Sequence, residues 1–461
     1  MSRRRGAVAL VAAVIAVMLT AVPTAYAEMI AGTFAWNPPP YAPGTHHETS
    51  FSDVAAGPAG SFYVVGAYNG MAYAASGIVA RVNGTTGAKM WALTTKGPGG
   101  GGVFWYEAAK DGGGNVVAVG TASLNRLGLV KYSPSGVLKW SRWLDAPTVG
   151  RDVAAGPSST VYAVGGASRS GRGGDGLLVK YAADGRLLWK SYLSTTRTDI
   201  LDVVTVDARG NAYALGERNA TRTSNQLALV KVTAAGHVAW TRTIAATGTM
   251  FSPVAVLRTS TGAIVVANRS SGGESHALIA KYSTSGTRVW KCIDNERVSE
   301  VADAAVLGDG TVVVVGSRFD ESAPAEWVGV VSIIGAAGLP VGHASYYEDL
   351  GAEGVRTVEF AAVTADSQGR VYVAGTAIHE SGDTGEGTAI VLRFPEPLEG
   401  QLLPDVRWAY RGASNVYGWS PNEFRALCVA GSGGVYAAGV QSALAEGLSK
   451  GLVERLRMPP D

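Results

Sequence analysis

The stretch LVKYSPSGVLKW, Leu129–Trp140, reads as an apolar strand, a polar turn, a glycine, three residues and a tryptophan. It returns as LLVKYAADGRLLW ending at Trp189, LALVKVTAAGHVAW ending at Trp240 and LIAKYSTSGTRVW ending at Trp290, and IVARVNGTTGAKMW ending at Trp91 precedes it. A second phrase lies upstream of each. It ends at Gly66 (SFYVVG), Gly120 (NVVAVG), Gly165 (TVYAVG), Gly216 (NAYALG), Gly316 (TVVVVG), Gly375 (RVYVAG) and Gly439 (GVYAAG), with AIVVAN ending at Asn268 in the fifth place. Self-similarity at a period of roughly 50 residues marks a repeat architecture, so the length of the chain does not translate into separate domains.

Within one unit the apolar segments are short, rich in Val, Tyr and Ile, and interrupted by Gly, Ser, Asp and Asn. No stretch carries a 3.6-residue apolar stripe of helical length, so the segments are predicted strands joined by hairpins. Four fit in each unit: an inner strand such as Asp152–Ala155, the glycine-ended strand, the LLVKY-type strand and the tryptophan strand. Four-stranded sheets repeated at this period predict an all-β, eight-bladed β-propeller of four-stranded blades. The expected blades are 50–93, 104–144, 150–193, 200–244, 251–293, 300–347, 356–410 and 422–457. The last unit stops at Asp461 without a tryptophan strand, and GTFAW, Gly32–Trp36, repeats the missing piece near the other end of the chain. The expectation is therefore that residues 29–36 complete the last blade and close the ring. Two units depart from the pattern: the sixth has Ser332 in place of a base and Gly342-His343 in place of Trp, and the seventh lengthens its last hairpin before Trp408.

At VDARGNAYALG, Val206–Gly216, and ADSQGRVYVAG, Ala365–Gly375, the chain resembles the bacterial exported propeller repeats of the SBBP and delta-60 kind. The outer strand, with Gly87 and Trp91 or Gly185 and Trp189, is similar to the tryptophan-docking motif of the pyrroloquinoline-quinone-like (PQQ-like) eight-bladed propellers. The resemblance covers the chain from residue 28 onward and implies a fold; it implies no activity, because propellers host enzymes, lectins and scaffolds alike.

The amino terminus has the order of a secretory signal peptide. Arg3, Arg4 and Arg5 precede an apolar run from Gly6 to Val22, then Pro23 and Ala25-Tyr26-Ala27, so cleavage is expected before Glu28. The chain thus divides into a signal at 1–27 and one propeller at 28–461, secreted or held at the cell envelope, with no membrane span after cleavage. Lys+Arg 39 against Asp+Glu 37 gives a net charge of +2 without a basic block beyond the signal, which argues against nucleic acid as a partner. Two cysteines, Cys292 and Cys428, are too few for a disulfide framework and read as buried thiols.

The recurring residues are the candidates for chemistry. Trp36, Trp91, Trp140, Trp189, Trp240, Trp290 and Trp408 are expected to bury their rings between blades, each indole N–H reaching a backbone carbonyl. Trp105, Trp143, Trp327 and Trp419 stand outside the repeat and are the candidates for stacking on sugar. A base recurs on the third strand as Arg81, Lys131, Lys180, Lys231, Lys281, Arg393 and Arg455, either with its stem packed and its head wet or as a circle for an anionic ligand. Asp53, Glu107, Asp152, Asp202 and Asp303 recur near the start of the inner strand and would converge at one mouth of the channel as a ligand or cation site, or cap local turns. Oxygen ligands of that kind suit calcium, although no cofactor is required. The run Gly97–Gly102 has no following helix to make a phosphate loop, and His46-His47 has no third ligand nearby. No Ser-His-Asp or Cys-His set can be assembled from the spacing.

These features favour a secreted, non-catalytic, monomeric propeller that binds an envelope protein or a glycan as a binding or scaffold module. The alternatives are a PQQ-type quinoprotein oxidoreductase, which would lack the usual vicinal cysteine pair, and a polysaccharide-active enzyme working through paired carboxylates.

Overall fold

The computed structural model describes residues 49–456 apart from 69–74, 124, 146, 170–172, 295–297, 321–326, 350–354, 382–383, 397, 411–421, 430–433 and 444–447. The signal region and the stretch Gly32–Trp36, expected to complete the last blade, lie outside the described residues.

Strands follow one another as antiparallel meanders. The first blade runs Thr49–Ala56, Ser61–Tyr68, Ser76–Asn83 and Lys89–Thr95, from inner edge to outer edge. Blades two to five repeat that order and end on outer strands Leu138–Trp143, Leu187–Leu193, Val238–Ile244 and Arg288–Asp294. The sixth ends on Pro340–Tyr346 and carries Gly400–Gln401 as a fifth, parallel strand; the seventh has Glu348–Asp349 ahead of its four long strands and ends on Val406–Tyr410. The last sheet, Asn422–Val429, Val435–Ala443 and Leu448–Leu456, has three strands. The eight-bladed expectation is therefore corrected: among the described residues seven blades have four strands or more, and the final unit does not make an eighth of the same kind. A recurring glycine marks each unit in sequence, but a full blade also needs an outer strand, and among the described residues none pairs with the far side of Leu448–Leu456.

The core explains why the sheets need one another. The second strand of a blade is buried on both faces, as in Ser61–Tyr68, so its period of two divides its side chains between two neighbours. Val161 and Ala163 pack with blade two, whereas Tyr162 and Val164 pack with blade four. The three-stranded sheet closes the ring on the first blade. There Ala426, Cys428 and Ala438 join Phe51, Val54 and Val64, Tyr436 stacks on Phe62 at 4.4 Å, and its hydroxyl donates to the Gly84 carbonyl at 2.9 Å.

The recurring glycine lies inside the second strand, two to four residues before its end in blades one to four, and has a steric cause. Each inner strand bulges opposite it, for instance between Phe51 and Asp53, and throws a carbonyl against its Cα. A Cβ at Gly66, Gly120 or Gly316 would overlap the carbonyl of Ser50, Phe104 or Glu300. Where the fifth unit substitutes Asn268, the amide reaches across to the next blade, donating to the Val301 carbonyl at 3.0 Å and accepting its N–H at 2.7 Å.

The tryptophans form the outer fastening. Trp91, Trp140, Trp189, Trp240 and Trp290 donate their indole N–H to Pro134, Ala183, Ala234, Thr284 and Ala336, each in the turn of the following blade, at 2.9–3.2 Å. Each ring also covers the glycine of that turn. Gly185 has φ +82°, and a Cβ on it would lie 2.6 Å from Trp140. Trp408 is buried against the last sheet, and Trp36 lies outside the described residues. Cys292 sits on the outer strand of blade five and Cys428 on the inner strand of the last sheet, both buried and not joined by a disulfide.

Replacing Trp140 with Phe keeps the apolar ring and removes the N–H donor, and should lower unfolding free energy by about 1–3 kcal/mol. Gly185→Ala combines strain at positive φ with overlap on the same ring and should cost more. Urea unfolding of the two variants checks the order. A cost for Gly185→Ala no greater than an exposed loop substitution would show that the ring does not rest on that turn.

Candidate functional site

Three of the third-strand bases turn their heads into the blade junction and share the acceptor used by the tryptophan, whereas the side chain of Arg455 lies outside the described residues. Arg81 Nη1 donates to the Pro134 carbonyl at 2.7 Å, Lys180 Nζ to Ala234 at 2.9 Å and Lys231 Nζ to Thr284 at 2.8 Å. Lys131, 2% exposed, pairs with the Asp111 carboxylate at 2.6 Å. Burial pushes Asp111 up, but hydrogen bonds from Lys131 and Asn115 outweigh it and hold the carboxyl below its usual range. In the seventh blade Arg393 is bound by Asp405 through Nε at 2.9 Å and Nη2 at 2.6 Å.

Four of the five inner-strand acids share one structural position. Asp53, Glu107, Asp152 and Asp303 each follow the bulge of their strand and pair with Val65, Val119, Val164 and Val315. Three of them fasten blades. Asp53 accepts from Val54 N at 2.7 Å and, in the next blade, Ala108 N at 2.8 Å. Asp152 does the same with Val153 at 2.6 Å and Val204 at 2.7 Å, and Asp303 with Ala304 at 2.7 Å and Val363 at 2.9 Å. The carboxylates bridge adjacent inner strands at the narrow end of the wedge, where the bulge frees amide groups from the sheet ladder.

Burial raises these acids. Desolvation lifts Asp53 to about 6, Asp152 to about 7 and Asp303 to about 6, against the hydrogen bonds from the amides. Glu107 is pushed well above the carboxylate range by desolvation and by the charges of Asp53, Asp152 and Asp303.

Asp202 stands apart from this group. It occupies the bulge itself, between Leu201 and Val203 of its strand, one position away from the others. Its Oδ1 faces Arg151 Nε at 3.8 Å, and burial together with the charge of Glu217 raises it to about 6. The difference is visible in spacing, because Asp202 precedes its glycine by 14 residues and the other four by 13. A second acidic level was not singled out from sequence. Glu300, Glu359 and Glu423 each precede Gly316, Gly375 and Gly439 by 16 residues, and desolvation with the charges of Glu300 and Glu423 raises Glu359. Among the described residues no three carboxylate, histidine or cysteine side chains gather as a metal site.

The unrepeated tryptophans are engaged. Trp105 is 1% exposed, lies over Gly77 and stacks on Trp143 at 5.8 Å; Trp327 meets Phe319 edge-on at 5.6 Å. Trp419 and His46-His47 lie outside the described residues.

A recess not foreseen from sequence opens where blade four meets its neighbours. It has a volume of about 420 Å³ and is lined by Arg197, Asn219, Thr221, Ser224 and Gln226, with Ala245–Thr247 along one side. Two buried side chains hold its walls. Asn225, 3% exposed, donates to Glu217 Oε2 at 2.7 Å and to the Phe251 carbonyl at 2.7 Å, and accepts Phe251 N at 2.6 Å. Asp199, 1% exposed, accepts Thr195 N at 2.6 Å and Asn219 N at 2.8 Å and fixes Asn219 at φ +57°.

No known protein family matches the chain, and no curated protein matches it. Solved structures do. Sqt1 from Chaetomium thermophilum superposes with a TM-score of 0.54 at 14% identity, over 89% of this chain and 96% of that one. A europium-containing methanol dehydrogenase gives a TM-score of 0.52 at 9% identity, over 92% and 85%. At such identities the likeness establishes a β-propeller fold and nothing about activity.

The raised acids set the sign of the pH dependence. The native protein holds protons that the unfolded chain gives up near pH 4, so their contribution is complete below about pH 4 and is lost as pH rises through 6–7. The melting temperature should therefore climb between pH 8 and pH 5, and Asp53→Asn, Asp152→Asn and Asp303→Asn together should flatten that slope. Calorimetry at four pH values measures it. A wild-type slope of opposite sign, or one that survives the triple substitution, would show that these carboxyls do not carry it.

Proposed function

We propose that this chain is an exported, non-catalytic β-propeller that binds a glycan or a protein of the cell envelope. The export reading rests on Arg3-Arg4-Arg5, the apolar run and Ala25-Tyr26-Ala27. The observation that carries the binding reading is the division of labour among the polar groups. The residues that recur, Trp, base and inner acid, are spent largely on holding blades together. Outside those repeated roles, Arg197, Asn219, Thr221, Ser224 and Gln226 meet in the recess beside blade four. Ligand specificity in a repeat scaffold belongs to such unrepeated positions in loops and at strand ends.

The recess favours a polyhydroxylated ligand. Asn219, Gln226, Thr221 and Ser224 offer donors and acceptors matched to sugar hydroxyls, Arg197 adds a cation suited to an acidic sugar, and the walls are held in place before binding. A screen of the purified protein against glycans and envelope fractions tests the reading, with Asn219→Gly/Gln226→Ala, which removes both amides and respects the positive φ at 219, as the comparison. The expected result is at least tenfold weaker glycan binding by the variant at an unchanged melting temperature. Failure of the intact protein to bind any glycan or envelope component would overturn it, as would a quinone absorption band in the purified protein.

A further inference from the structure

The outer strands of blades one to five end their sheets among the described residues, each with one row of backbone N–H and C=O groups directed away from the blade. They are also unusually apolar for an edge. Val137 is 59% exposed, Leu138 52%, Val238 49% and Val289 58%, and Leu187 and Leu188 are exposed beside them. Exposed cations accompany these residues: Lys139 on blade two, Arg186 and Lys190 on blade three, Arg288 and Lys291 on blade five.

The molecule itself shows that an outer strand of this ring can take a further strand. On blade six the outer strand is covered by a segment sent across from blade seven, within the sequence PEPLEGQLLPD at 395–405. Gly400 and Gln401 pair in parallel with Gly342 and His343, and Leu402 N donates to the His343 carbonyl at 2.8 Å. Leu398 and Leu402 are each 7% exposed and join the cluster of Val331, Ile333 and Phe394. The covering segment carries Glu396, Glu399 and Asp405 and no base.

We propose that the outer edge of blade three, Leu187–Leu193, unpaired among the described residues, is a docking site for an extended, acidic, leucine-bearing segment of a partner protein, added to the sheet as a fifth strand. Backbone pairing supplies the affinity and alternate side chains supply the selectivity. The partner's leucines cover Leu187 and Leu188, and its carboxylates face Arg186 and Lys190. The site is separate from the recess beside blade four and stands whether or not that recess binds sugar.

The probe is a labelled synthetic peptide, PEPLEGQLLPD, titrated into the purified full chain by fluorescence anisotropy. Binding should weaken at least tenfold when both flanking leucines of the peptide are replaced by aspartate, and by a similar factor for protein carrying Leu187→Ser and Lys190→Glu, whose exposed positions leave the fold intact. It should also weaken with added salt and survive Asn219→Gly. Hydrogen exchange should show new protection over Leu187–Leu193. Absence of binding would overturn the proposal, as would affinity indifferent to these substitutions. Protection appearing over Pro340–Tyr346 instead would mean that the peptide merely replaces the chain's own segment. Self-association of the protein through this edge at the same concentrations would assign the surface to a second copy.

Discussion

Each blade has a second strand that is apolar on both faces, and this is the constraint from which the rest of the structure follows. A single sheet can bury one face of Val161–Ser168; the other needs a neighbour, and the neighbour has the same need. Closure into a ring satisfies every blade at once and leaves only short strand edges. The glycine within that strand then admits the bulge of the inner strand, and in blades one to five the tryptophan at the outer edge bolts the blade to the turn of the next.

The polar residues follow the same logic. A wedge-shaped blade brings inner strands close together, and a bulge there leaves amide groups without ladder partners. A carboxylate that accepts one N–H from its own strand and one from the next serves both, as Asp53, Asp152 and Asp303 do. The arrangement holds acids in a setting that resists their ionisation, which raises their pKa values and makes the interior more comfortable with a proton. At the outer end the problem is reversed. There a turn carbonyl accepts two donors, an indole N–H and a lysine or arginine head, so the positive charge is absorbed by the junction.

Irregularity is concentrated where the repeat has lost its tryptophan. Blade six has Gly342 at that position, and the long hairpin of blade seven lays a strand of its own over the gap. An edge deprived of its bolt is thereby covered from the next blade, and Leu398 and Leu402 replace the missing indole as apolar filling.

Strand periodicity, the glycine-ended strand and the glycine-to-tryptophan spacing were legible in the chain, because each reports what a residue touches within its own unit or the next. They specify an all-β propeller and the residues at its junctions. The number of complete blades was not legible, because a unit counted by its glycine still has to find an outer strand, and that depends on distant parts of the chain. Asp202 was grouped with four other acids although its spacing to the glycine differs by one residue. A bulge converts that single step into a different face of the strand, and only the register shows it. The recess beside blade four was likewise invisible in sequence, since Arg197 and Thr247 belong to two separate connections and Asn219 to the end of a strand. Local pattern determined the elements and their joints; the register of the bulged strands and the packing of the ring decided where each polar group points.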